Sequence, residues 1–187
     1  MSLTLIVIAA YLGICFGGEV FLNEDLILKW TFNDEDESVI FKYYIPTAKA
    51  TGTWGWVGTG IKSIENGRGM AGADLVSFIL GESIYEDRFG VENGYPSRDT
   101  EEECQDNVLD LEKYIEGNHH VLQWKRYLNT GDICDLPLEK GKQYFVLYAF
   151  GNAKDSDLRY HKRRGSELIT FDDDFSNEEL LSASFIS

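Results

Sequence analysis

Two side chains able to ligate iron stand out in this 187-residue chain, Met70 and His161. Met70 lies in Gly69-Met70-Ala71-Gly72-Ala73-Asp74, just ahead of an apolar run, and the only other methionine is Met1. His161 lies in the basic run Arg159-Tyr160-His161-Lys162-Arg163-Arg164. A thioether and an imidazole on opposite sides of a haem would fill both axial positions of the iron, leaving outer-sphere transfer of single electrons as its chemistry. The plainer alternatives are a packing methionine and a surface histidine. His119 and His120 compete as ligands. They flank the turn-like Glu116-Gly117-Asn118, and His120 shares a face with Leu122 and Trp124.

The surroundings of such a pair would have to hold a flat, dianionic group. Arg159, Lys162, Arg163 and Arg164 put four of the 17 basic residues within six positions. Guanidinium groups bind carboxylates bidentately, so Arg159 and Arg163 could clamp haem propionates, dock an acidic partner, or form a solvated basic turn. Trp56 and Tyr160, with Trp54, Tyr85, Phe89 and Tyr148, offer aromatic surface for a haem pocket, for stacking on sugar rings, or for a core. Asp74 and Asp132 read as acceptors for backbone donors in turns. The run Asp172-Asp173-Asp174 lacks the ligand spacing of a calcium loop. No Ser-His-Asp order, phosphate loop or zinc-type Cys/His spacing occurs; with both axial positions of a Met/His haem filled, an electron carrier is expected rather than a complete enzyme.

Period-two alternation supplies the elements that must position these residues. Strands are expected at Leu26–Phe32, Val39–Ile45, Trp54–Ile61, Ala73–Leu80, Ser83–Phe89, Val108–Ile115, Val121–Leu128, Gln143–Phe150 and Glu167–Phe171. Gly52, Gly55, Gly58 and Gly60 leave room for a backbone or ligand to approach. A short helix is expected only at Asn177–Phe185. Short strands divided by turn signals predict an all-β, antiparallel, immunoglobulin-like sandwich in one domain, residues 18–175, with an acidic tail at 176–187.

The ends and the cysteines bear on compartment. Leu3 to Phe16 is an apolar run of signal-peptide length, and Cys15-Phe16-Gly17 places small residues where signal peptidase cuts, so residues 1–17 read as a leader and Gly18 as the mature start. An uncleaved anchor is the alternative, since residues 1–17 carry no Lys or Arg. Cleavage leaves Cys104 and Cys134, expected to pair in an oxidising compartment and to stabilise by about 3 kcal/mol. The expected location is secreted or cell-surface, without stable membrane insertion after cleavage. A net charge of −15 disfavours nucleic acid and anionic membranes as partners.

Six segments in order resemble the DOMON domain family, particularly its haem-binding type in the cytochrome domain of cellobiose dehydrogenase. They are Gly55-Trp56-Val57-Gly58-Thr59-Gly60, Met70 to Asp74, Tyr85 to Phe89, Trp124 to Asp132 with Asp135, Phe145 to Gly151, and finally His161. The resemblance runs from about Trp30 to Phe171. It implies a sandwich of about ten strands and, in haem-binding members, a haem b held between residues matching Met70 and His161. It further implies a redox partner protein, or another copy of the chain within an oligomer or fibre. Because not all members bind haem, a haem-free glycan-binding or self-assembling cell-surface module is the alternative.

Overall fold

A computed structural model describes residues 17–52, 54–82, 84–154 and 157–177. Its strands are β1 (Gly18–Phe21), β2 (Ile27–Asn33), β3 (Ser38–Pro46), β4 (Trp56–Ser63), β5 (Asp74–Ile79), β6 (Ile84–Phe89), β7 (Ser97–Arg98), β8 (Leu109–Glu116), β9 (His119–Tyr127), β10 (Gln143–Lys154) and β11 (Asp157–Thr170). They form two antiparallel sheets, ordered β1-β2-β3-β9-β8 and β11-β10-β4-β5-β6-β7. The expected all-β sandwich is thus present, with eleven strands among the described residues.

Alternating side chains close the two sheets on one another. On β2 every second residue, Leu28, Trp30 and Phe32, is buried. Trp124 of β9 packs against Phe41 of β3 and Phe78 of β5, with ring centroids 5.3 and 5.5 Å apart. This contact ties the five-stranded sheet to the six-stranded one, and each such ring buries ~150–250 Å². Trp54 also belongs to this core, stacked 3.9 Å from Phe150. The expected turn between β8 and β9 is formed, with Gly117 at φ 57°.

Two strand boundaries differ from the sequence expectation. The strand expected at 167–171 begins ten residues earlier, because β11 stays paired with the far end of β10: Leu158 opposes Ala153 and His161 opposes Gly151. The basic run is therefore strand and not a solvated turn. Its pattern was hidden because β11 is an edge strand, where exposed charged residues interrupt alternation. The short β1, beside the expected cleavage point, pairs with β2 from Gly18 onward.

At the other terminus, the chain around the expected domain boundary docks on β1. Glu19 N–H donates to the Phe175 carbonyl, and the Asn177 side chain bonds both N and O of Phe21. Residues 1–16, and all of the expected terminal helix beyond Asn177, lie outside the described residues. Among the described residues no helix is long and apolar enough to cross a membrane.

Candidate functional site

Met70 sits in the turn leading into β5. Its N–H donates to Asn93 Oδ1 at 2.8 Å, its carbonyl accepts from Ala73, and Gly72 N–H donates to the Gly90 carbonyl. The neighbouring Gly69 carbonyl accepts from the buried Lys62 ammonium at 2.7 Å, anchoring the turn to the end of β4. A Cβ on Gly90 would lie 2.1 Å from the Met70 carbonyl oxygen, so glycine is required there. All these contacts belong to the Asp74/Phe89 end of the six-stranded sheet, since Asp74 pairs with both Ile61 and Phe89.

His161 belongs to the opposite end. It pairs with Gly151, which pairs in turn with Trp56, the first residue of β4. The five residue steps from Trp56 to Ile61 span ~16 Å at ~3.3 Å each. The three strand spacings from β11 to β5 add ~14 Å sideways at ~4.8 Å each. Flat-sheet spacing thus puts Asp74 and His161 ~20 Å apart, with Met70 in the turn just ahead of Asp74, whereas a shared iron would hold the sulfur and the nitrogen about two bond lengths apart. Met and His side chains do not bridge that gap. The arrangement does not fit a haem held between Met70 and His161.

The intervening surface is also filled. Trp56 is 6% exposed, packs with Ile79 and Leu158, and donates its indole N–H to the Arg159 carbonyl at 3.0 Å. A Cβ on Gly151 would come within 2.7 Å of that indole nitrogen, and one on Gly60 within 2.4 Å of Leu75. These glycines make room for side chains of their own sheet. Trp56 therefore braces the β10–β11 hairpin, and the burial of both Trp54 and Trp56 leaves neither as a platform for sugar rings.

The remaining sequence candidates divide between surface and interior. Tyr160 is 82% exposed and its ring lies 4.2 Å from that of His161. Arg159 and Arg163 are exposed, as are Lys162 and Arg164. His161 Nε2 lies 3.3 Å from Arg164 Nη1. Partial burial, and then the Arg164 charge, hold the imidazole below its ordinary pKa. His120 is half-buried on the other sheet, with a buried Nε2 that has no partner. It stands six residues along β9 from Arg126, which meets Asp74 at the Met70 end.

Cys104 and Cys134 form the expected disulfide, with Cα atoms 6.2 Å apart. It joins the segment after the short 3-10 turn Asp99–Glu101 to the loop following β9, where Asp132 Oδ2 accepts from Gln105 N–H at 2.7 Å. Asp74 and Asp132 do accept backbone donors as read from the sequence, Asp74 from Leu136 and Asp132 from Gln105 and Cys134.

Sequence reading missed a buried constellation beside this disulfide. Asp74, Asp87 and Asp135 converge around Arg126, with Asp99 adjoining. Scattered over β5, β6, a turn and a loop, these residues form no local motif. The one available signal was acidic residues at core-facing strand positions. A separate cavity of about 470 Å³ opens at the Ile79 end of the sandwich, lined by Phe78, Leu80, Ile84, Leu111, Lys113 and Leu122 among others.

Comparison with known proteins agrees with this architecture. A search of curated proteins returns no match. Among solved structures, the chain is similar to the cytochrome b domain of pyranose dehydrogenase from Coprinopsis cinerea, with 16% identity, a TM-score of 0.52 and 80% of each chain covered. The likeness is one of fold, a two-sheet β-sandwich. Residues 22–151 match the DOMON domain profile, and the chain belongs to the DOMON domain family.

Proposed function

We propose that this chain is a haem-free DOMON module that acts outside the cytosol by self-association, docking the basic edge strand β11 of one copy on the acidic surface of another. The separation of Met70 and His161 to opposite ends of one sheet is the observation that carries the haem-free reading. The docking surface is argued from charge. Arg159, Lys162, Arg163 and Arg164 are exposed on a 14-residue edge strand of a chain whose net charge is −15. An open edge offers unpaired backbone groups to another strand, and complementary charge steers the encounter. The Cys104–Cys134 disulfide and the apolar leader support an extracellular or cell-surface setting.

A second reading, a secreted b-type cytochrome passing single electrons to a partner, is favoured by one observation, the fold shared with a cytochrome b domain. It requires the β10–β11 pairing to open so that His161 leaves Gly151. Mixing the purified chain with hemin separates the two readings. The first expects no low-spin Soret, α and β bands, and oligomers in sedimentation that shrink at high salt or with Arg163→Glu and Arg164→Glu together. Stoichiometric low-spin haem, lost in both Met70→Ala and His161→Ala, would establish the second.

A further inference from the structure

We infer that Asp74, Asp87 and Asp135, with Asp99 as an adjoining fourth carboxylate, form a binding site for one calcium ion between the two sheets. One carboxylate oxygen of each of the first three lies within 4.8 Å of the others, and all three side chains are buried. The cluster is incomplete as it stands. Asp135 is 8% exposed and its Oδ2 is buried without a hydrogen-bond partner; Asp99 is 1% exposed and its Oδ1 is equally unpartnered. Buried carboxylate oxygens left unpaired are strongly unfavourable and call for a cation or a proton.

Charge bookkeeping points the same way. Four buried carboxylates face one described cation, Arg126, which is paired with Asp74 and also donates to the Leu136 carbonyl at 3.0 Å. Asp74 Oδ2 accepts from Leu136 N–H and Asp87 Oδ2 from Asn107 N–H, which fixes both carboxylates while leaving each with a second oxygen. With all four carboxyls ionised, a single arginine would leave a net charge of −3 on these five side chains, and a divalent ion would reduce it to −1.

The ligand chemistry selects among ions. All donors are carboxylate oxygens, which suit hard cations and exclude sites built on thiolate or imidazole. They come from four separate segments: the start of β5, β6, the Asp99–Glu101 turn and the loop after β9. Such a set, one member already shared with a guanidinium, suits the loose six-to-eight-fold coordination of Ca²⁺ better than the strict octahedron of Mg²⁺. The Cys104–Cys134 bridge holds two of these segments together, since Cys104 N–H also donates to the Asp99 carbonyl at 3.0 Å. An ion here would fasten β5 and β6 to the loop that leaves the opposite sheet.

The test is calorimetric titration of the purified, disulfide-bonded chain with CaCl₂ after dialysis against EDTA, joined to thermal unfolding in each condition. One site is expected, with the unfolding midpoint rising by about 5–10 °C at a hundredfold excess over Kd. Asp87→Asn and Asp135→Asn should abolish that rise while melting in EDTA no lower than the parent, because each replaces a buried carboxyl that has no counter-ion of its own. Asp34→Asn, at an exposed position, should keep the rise. Absence of both heat and shift in the parent would overturn the site. So would Asn variants that lose as much stability in EDTA as in calcium, which would make the cluster a hydrogen-bonded brace, and an equal response to MgCl₂ would overturn the assignment to calcium.

Discussion

The basic strand β11 and the buried carboxylates around Arg126 are two charge concentrations that behave oppositely. The cations of β11 lie within six positions of one another in sequence and are exposed, so water and salt screen them, and each contributes little to stability. The carboxylates are dispersed between residues 74 and 135, yet the fold packs them together away from water. Charge that is conspicuous in a sequence is the charge a fold can most easily leave in solvent. Charge that controls stability is gathered by the tertiary structure.

Removing a partner from the buried group should break this contrast most forcefully. Arg126→Met leaves Asp74, Asp87, Asp99 and Asp135 without their described cation and should destabilise the chain by about 3–5 kcal/mol in denaturant titrations without added metal. A loss below about 1 kcal/mol would show that the carboxyls are already neutral. Next in size is the disulfide that clamps the same region. Cys104→Ser with Cys134→Ser opens a loop closed at a sequence separation of 30 and should lose about 3 kcal/mol, with unchanged strand content by circular dichroism.

The sandwich was legible because alternation reports which face of a strand is buried, and Leu28-Trp30-Phe32 or Phe41-Tyr43-Ile45 need no other information. The disulfide followed from the count of cysteines left once residues 1–17 are read as a leader. Legibility failed at the edge. Along β11 only Leu158 and Ile169 are buried among the described side chains, so period two is drowned by charge from Arg159 to Arg164. It failed again at Met70 and His161. Their types and order matched a haem pair, but their positions follow from strand register, which places one beside Gly90 and the other beside Gly151. The Asp74, Asp87, Asp99 and Asp135 cluster was invisible for the same reason, since nothing local links a β5 carboxylate to one beyond β9.

Proton uptake sharpens the comparison at a smaller scale. Burial chiefly, then neighbouring carboxylates, raises Asp87 to about 8, Asp99 to about 7 and Asp135 to about 6. A carboxyl whose pKa is higher folded than unfolded binds more protons in the native state. Its contribution is complete below about pH 4 and is lost as pH climbs through the folded values. In EDTA, stability on this account should fall from about pH 5 to pH 8, and Asp87→Asn should flatten the slope. Denaturation midpoints that rise over this range would contradict the arrangement of the cluster.

The smallest effect belongs to β11. Arg163→Glu with Arg164→Glu changes net charge by −4 on an exposed edge, where substitutions shift stability by only ~0.5 kcal/mol or less. The same exchange should remove salt-sensitive self-association in sedimentation, because the reversed charges repel the acidic surface that the parent strand attracts. Stability and association then separate cleanly. If the double variant assembles as the parent does, the edge contributes neither to folding nor to docking, and the basic run is merely a solvated strand. If it unfolds instead, these arginines bear on packing within the hairpin, which Trp56 braces from the opposite side of Gly151.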